Sequence, residues 1–342
     1  MLSLRLSSSQ LSAPVNVTWE ITRACNLACR HCLSAALPCA EEELDFDECC
    51  ALVDELARMQ VFQVNFGGGE PFLREDFLDI LRYTCSRGLT ACVSTNGTVL
   101  TEELVRELLL IRPVYLQVSL DGACPETNDA IRGRGTFRRI LRGVELLAAY
   151  NYPGLSLNLV VTRLNVGEIG HFDRLARRYG AKTRLSRFRP AGKGAEVWEE
   201  LRLTPAQLRE LSSFLGAHPE ILTGDSFFAL TPAGRRNLGL NMCGAGKMTC
   251  AVTPSGDVYP CAFLCAPSFW AGNIRSEPLS SIFRSSPVLE RFRRLEVESC
   301  QSCDRFSLCH GGCPAVAYFL TDSLDFPDPE CLRSAASVEE VL

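Results

Sequence analysis

Lysine is nearly missing from this chain. Among 342 residues only Lys182, Lys193 and Lys247 carry an ammonium group, and the rest of the 35 basic residues are arginine. The arginines are scattered, as biased codon usage leaves them, and the net charge is −5. That combination offers no basic patch for nucleic acid. A second absence is the long apolar run: no stretch supplies the roughly 18 residues that span a bilayer. The opening residues MLSLRLSSSQLSAPVN lack a charged segment followed by an apolar one, so no secretory signal is expected. Internal repeats and low-complexity tracts are missing too. The expectation from these absences is a cytoplasmic protein, with neither membrane nor nucleic acid as partner.

What the chain has in excess is cysteine. Eighteen cysteines in a compartment that keeps thiols reduced are hard to explain as disulfides. Metal or cluster binding is the leading account of those that lie close together. Hydrophobic residues make up 46% and charged residues 22%, an ordinary composition for a soluble core. The length suits one large domain, or a large one with a smaller companion.

From about residue 16 to 215, apolar runs alternate with amphipathic stretches. VNVTWEIT reads as a strand and FDECCALVDELARM as a helix. VFQVNF with EDFLDILRYTCSRG, LTACVST with TEELVRELLLI, and VYLQVSL with FRRILRGVELLAAY repeat the pattern. LSLNLVV with GEIGHFDRLARRYG and TRLSRF with TPAQLRELSSFLG continue it. About six strand–helix units predict an α/β fold, a partial (β/α)6 barrel of parallel strands with helices outside. Beyond residue 220 the helical periodicity thins, and nine of the eighteen cysteines fall between Cys243 and Cys331. AVTPSGDVYP predicts a hairpin there. This part reads as a second domain with too little apolar core to stand alone, held by metal clusters. The expected division is an arm at 1–15, the barrel at 16–220 and a cysteine-rich domain at 221–342.

Cys25, Cys29 and Cys32 are spaced C-x3-C-x2-C in the loop after the first strand. Barrel enzymes keep their active sites on that side of the strands. A closed iron–sulfur cube takes four thiolates, so three leave one iron with an open position, as catalytic zinc sites keep one position free. A zinc site completed by His31 is the bland alternative. NFGGGEP follows the second strand, and there Gly67, Gly68 and Gly69 admit close backbone approach while Glu70 is an acceptor for an ammonium group. STNG and SLDG follow the third and fourth strands, with Ser94, Asn96, Ser119 and Asp121 suited to hydroxyls and a carboxylate. Arg132 is placed to clamp a carboxylate. Each turn alone reads equally well as a cap, but four in succession opposite a three-cysteine loop do not.

This constellation resembles the radical S-adenosylmethionine (SAM) superfamily. The resemblance implies that SAM chelates the open iron and is reductively cleaved to methionine and a 5′-deoxyadenosyl radical that abstracts hydrogen from substrate. It implies that Gly68, Gly69 and Glu70 hold the methionine amino group. Ser94, Asn96 and Arg132 would serve the carboxylate, and Ser119 and Asp121 the ribose side. His31 would neighbour adenine rather than act as acid or base.

Cys300, Cys303, Cys309 and Cys313 are spaced C-x2-C-x5-C-x3-C, with Pro314 next. In two-cluster ferredoxins the cysteine before proline ligates the other cluster. By that logic Cys300, Cys303, Cys309 and Cys331 bind one cluster, and Cys313 joins a second drawn from Cys243, Cys250, Cys261 and Cys265. Nine candidates for eight places leave one spare; a zinc ribbon is the alternative. The pattern also looks like a SPASM domain, and that resemblance points to Cys250 as ligand and Cys265 as spare. Three 4Fe-4S clusters are therefore expected. Cysteines 39, 49, 50, 85, 92 and 124 read as small buried hydrophobes or surface thiols.

MQVFQVNFGGGEP, QVSLDG, NDAIRGRGTF, LTGDSFF, LNMCGAG and PDPEC are similar to the mycofactocin maturase family. That similarity implies oxidative decarboxylation of the C-terminal tyrosine of a short ribosomal precursor peptide, then a carbon–carbon cross-link to the preceding valine. Only about 15 residues precede the first strand, so a separate peptide-recognition protein is expected to present the substrate. No G-x-G-x-x-G turn follows a strand suitably, so electrons are expected from a ferredoxin or flavodoxin. The competing readings are a radical SAM enzyme acting on a haem precursor or another peptide, and a non-catalytic electron carrier or zinc-held module.

Overall fold

A computed structural model describes residues 11–34, 42–223 and 243–333. Cys39, the first ten residues, most of LTGDSFF and the start of LNMCGAG lie outside the described residues.

Six parallel strands form the main sheet: β1 (Asn16–Thr22), β2 (Gln63–Gly68), β3 (Thr90–Thr95), β4 (Val114–Ser119), β5 (Leu155–Val161) and β6 (Lys182–Arg187). Helices α1 (Phe46–Arg58), α2 (Phe77–Ser86), α3 (Glu102–Leu110), α4 (Pro125–Arg132), α5 (Thr136–Ala149) and α6 (Ile169–Arg178) connect them, and α7 (Trp198–Leu201) and α8 (Pro205–Ala217) follow. The sheet order is β6-β5-β4-β3-β2-β1, and it does not close, which makes a partial barrel. The sequence reading missed α4. Its residues PETNDAIR carry too little apolar periodicity, and Pro125 at its start with the buried, hydrogen-bonded Asn128 holds it instead.

Parallel strands covered on both faces read as continuous apolar runs. These strands alternate instead. Val17, Trp19, Ile21, Val64, Phe66, Val93, Leu116 and Val118 enter one core with Leu52, Leu56, Ile80, Leu108, Ile140 and Phe172 from the helices. The opposite face carries Thr18, Glu20, Asn65, Ser94, Gln117, Ser119, Asn158 and Ser186. Period-2 alternation therefore builds a helix-covered outside and a polar concave inside.

The hairpin expected at 251–260 is β7 (Thr249–Val252) and β8 (Asp257–Tyr259), followed by β9 (Gly272–Asn273). β7 pairs in parallel with β1, placing Cys250 opposite Val17 and Val252 opposite Trp19. The sheet thus runs unbroken into the cysteine-rich segment, and Leu279, Ile282, Phe283 and Leu289 of α9 (Leu279–Ser285) and α10 (Pro287–Arg294) share the barrel core. A second core gathers Ala251, Tyr259, Leu264, Phe269, Phe292, Cys313 and Val316. The short helices α11 (Phe306–Cys309) and α12 (Pro314–Thr321) complete this part. At the other edge Leu222 still bonds to β6, from Leu185 N to Leu222 O at 2.8 Å.

Candidate metal and ligand site

The loop after β1 carries Cys25, Cys29 and Cys32, and four distant segments stitch it down. Gly69 N–H donates to Thr22 O at 2.8 Å, and Glu70 N–H to Ala24 O at 2.7 Å. Arg30 N–H donates to Ile131 O at the end of α4, and Lys193 N–H to Cys32 O after β6. Arg23 N–H donates to the Glu43 carboxylate at 2.7 Å. The glycines make this possible: a Cβ on Gly69 would lie 2.1 Å from Ala24 O, and Gly68 has φ +114° against Thr22 O. Cys25 is exposed, Cys32 half-buried and Cys29 buried. Burial pushes the Cys29 thiol up and the Arg132 guanidinium opposes it, while Cys32 and Cys25 stand close enough to add their own repulsion.

Glu70 also has partners within the protein. Its side chain is fully buried. Thr95 Oγ1 donates to it at 2.7 Å, Asn96 N–H at 2.7 Å and Phe72 N–H at 3.4 Å. Burial raises its carboxyl, with these donors opposing. Glu70 therefore locks the GGGEP turn to the STNG turn, and Thr95 is a partner that no spacing in the sequence reveals. Asn96 in turn reaches the cysteine loop: its Nδ2 donates to Asn26 Oδ1 at 2.9 Å and lies 4.0 Å from Cys25 Sγ.

His31, Asp121 and Arg132 form one buried group. Asp121 Oδ2 lies 2.8 Å from His31 Nε2 and 2.7 Å from Arg132 Nε, and Val160 N–H donates to its Oδ1 at 2.8 Å. Burial alone would raise Asp121, but Arg132 and His31 outweigh it and hold the carboxyl down to about 2. Arg132 Nη1 lies 3.9 Å from Cys29 Sγ. The carboxylate of Asp121 is thus taken up by protein partners, and it orients a histidine and an arginine beside the cysteines. Ser119 stays half-exposed at the end of β4, and Ser94 Oγ accepts from Gln117 Nε2 at 3.2 Å.

The remaining cysteines fall into two groups. Cys300, Cys303, Cys309 and Cys331 come together: burial pushes Cys300 and Cys309 up, and each is raised further by Cys303 and Cys331. Cys243, Cys261 and Cys313 form the other group. Burial lifts Cys261 to about 12, and Cys313 and Cys265 add to it. The structure does not bring Cys250 to this group. Cys250 is paired with Val17 and faces the barrel core beside Val252, where burial lifts it to about 12 against the opposing charge of Arg293. Period 2 along β7 sends Ala251, not Cys250, to the core that packs Cys243, Cys261 and Cys265. Among the described residues, no three His, Cys, Asp or Glu side chains close on a single-ion site.

Residues 19–176 match the family model of the radical SAM superfamily, and residues 243–304 match that of the SPASM iron–sulfur cluster-binding domain. The chain is 44% identical to the mycofactocin maturase MftC of Mycobacterium ulcerans over 94% of this chain and 89% of that one. It is 32% identical to the AdoMet-dependent heme synthase of Methanosarcina barkeri over 94% of this chain and 97% of that one. Streptococcus suis SuiB bound to its precursor peptide SuiA superposes with a TM-score of 0.77 at 18% identity, covering 95% of this chain and 77% of that one. anSMEcpe with bound AdoMet gives 0.74 at 20% identity, covering 96% and 98%. No described helix is long and apolar enough to cross a membrane. The open parallel sheet, the three-cysteine loop at its strand ends and these likenesses agree: the chain belongs to the radical SAM superfamily, carries a SPASM domain, and is a member of the mycofactocin maturase family.

Proposed function

We propose that this cytoplasmic enzyme carries out oxidative decarboxylation of the C-terminal tyrosine of a ribosomal precursor peptide, and then joins that residue to the preceding valine by a carbon–carbon bond. The observation that carries the reading is the polar concave face opening beneath the Cys25–Cys29–Cys32 loop, in a chain 44% identical to a mycofactocin maturase. The three thiols hold a 4Fe-4S cluster with one open position, and SAM bound there supplies a hydrogen-abstracting radical on one-electron reduction. Ser94, Asn96, Ser119 and the Gly68–Glu70 turn line the SAM side, with Glu70 acting through the Thr95–Asn96 turn. His31 and Arg132, oriented by Asp121, border the cluster next to Cys29.

Cys300, Cys303, Cys309 and Cys331 hold one auxiliary 4Fe-4S cluster. Cys243, Cys261 and Cys313 hold another, with Cys265 better placed than Cys250 for the fourth position. A separate recognition protein delivers the peptide, and a ferredoxin or flavodoxin supplies electrons. Anaerobically reconstituted enzyme, incubated with SAM, reductant and a precursor ending in Val-Tyr, is expected to remove the mass of carbon dioxide and two hydrogens from the peptide. SAM cleavage without that loss overturns the substrate assignment.

A further inference from the structure

We propose that Arg184, on the concave face of the barrel, anchors the terminal carboxylate of the peptide substrate; this rests on the peptide reading above. Asn65, Ser94 and Gln117 lie on central strands, yet all three remain half-exposed on the side away from the helices. The concave face is therefore open to solvent and polar. Its neutral groups satisfy one another: Gln117 donates to Ser94 at 3.2 Å, Ser186 to Asn158 at 2.7 Å, and Gln63 to Asn65.

Arg184 is the exception. It stands opposite Asn158 in the β5–β6 register and shares the face of Ser186. The residue is half-exposed, its Nε is buried without a hydrogen-bond partner, and no carboxylate forms an ion pair with it among the described residues. Two buried arginines of the barrel are ion-paired instead: Arg132 with Asp121, and Arg187 with Asp328 and Glu330.

A guanidinium whose Nε is withdrawn from water without a hydrogen-bond partner is short of an acceptor. Its planar fork matches a carboxylate through two parallel hydrogen bonds, so the missing partner is an anion of that shape brought from outside. Arg184 lies three residues before the end of β6, roughly 10 Å below the strand ends that carry the cysteine loop. A chain terminus can enter that far with its carboxylate leading. The rest of the terminal residue then points back toward the cluster loop.

The test compares two synthetic precursor peptides ending in Val-Tyr, one with a free carboxylate and one with a C-terminal amide. Binding of each to reconstituted holoenzyme with SAM is measured. Wild type is expected to prefer the acid by roughly 10- to 100-fold, the range of a hydrogen-bonded charge pair. Arg184→Gln is expected to remove the preference and to raise KM for the acid more than it lowers kcat. Arg184→Lys keeps part of it, and the iron–sulfur absorption spectrum reports folding of each variant. Equal wild-type affinity for acid and amide overturns the proposal, as does a preference that survives in Arg184→Gln. Weakened SAM binding in Arg184→Gln with the peptide preference intact also overturns it. An Arg184-dependent preference without decarboxylation leaves the anchor standing and removes the reaction assigned above; decarboxylation without the preference does the reverse.

Discussion

The guanidinium of Arg187 closes on the carboxylate of Asp328, 2.6 and 2.7 Å from its two oxygens, at a point where both side chains are buried. Arg187 ends barrel strand β6, and Asp328 lies in the segment leading to Cys331. Asp328 Oδ2 also accepts from Cys313 N–H at 2.9 Å, and its carbonyl accepts from Cys331 N–H at 2.9 Å. One ion pair thus ties the barrel to a cysteine from each of the two C-terminal groups. Removing one partner of a buried pair leaves the other charged and uncompensated, at about 3–5 kcal/mol. Arg187→Ala is expected to lose stability on that scale in denaturant unfolding, and Asp328→Asn, which keeps an acceptor for Cys313, less. Equal stability in Arg187→Ala would show that the pair carries no net weight.

The GGGEP turn makes a backbone prediction. A methyl group on Gly69 meets Ala24 O at 2.1 Å, and backbone cannot yield as a flexible side chain can. Gly69→Ala should displace the cysteine loop while leaving the C-terminal groups intact. With the three clusters proposed above, iron analysis should fall from about twelve per chain toward about eight, four for each cube. Undiminished iron in Gly69→Ala counts against the tight seating of the loop.

Cys250 and Cys261 separate two roles by one measurement. Cys250→Ala removes a thiol from an apolar core and should cost stability while sparing the iron content. Cys261→Ala removes a thiol grouped with Cys243 and Cys313, and should lower both iron and the auxiliary-cluster signal in electron paramagnetic resonance. Cys265→Ala should behave like Cys261→Ala. Iron loss in Cys250→Ala would return it to the ligand set.

Asp129 supplies a pH prediction. Its carboxylate accepts from Phe137 N–H at 2.8 Å and from Gly135 N–H, capping the start of α5. Slight burial would raise its carboxyl, but these donors outweigh it and hold it below the usual range. A depressed carboxyl stabilises the fold above its unfolded value near 4, and loses that contribution as pH falls through the lower folded value. Asp129→Ala should cost about 1 kcal/mol at neutral pH, and its gap from wild type should narrow below about pH 4. A gap that widens on acidification contradicts the assignment.

Removal of the clusters is a further test. The C-terminal segment packs Cys243, Cys261, Cys309 and Cys313 within its own small core, where metal binding contributes folding energy. Chelation of iron should raise protease sensitivity most between residues 243 and 333, with the barrel protected longer. Uniform sensitivity would indicate that the shared sheet, not the clusters, holds that segment.

Much of the architecture was legible because strand periodicity is local. WEIT, VNF and QVS carry the alternation that separates the helix-covered outside from the polar concave face. The C-x3-C-x2-C and C-x2-C-x5-C-x3-C spacings are likewise short-range. Residue types alone suggested Glu70 and Asp121 as ligand contacts. Each carboxylate proved to be held by partners that no spacing reveals: Thr95 and Asn96 for Glu70, His31 and Arg132 for Asp121.

The sequence by itself determined the strand–helix order, the three-cysteine loop and the cysteine run near the C-terminus, since each depends on residues within a few positions of one another. Tertiary structure alone decided which way Cys250 faces, because that follows from the parallel register of β7 on β1, segments more than 200 residues apart. It alone paired Arg187 with Asp328 and left Arg184 without an acid among the described residues, because charge pairing depends on which distant side chains the sheet brings within reach.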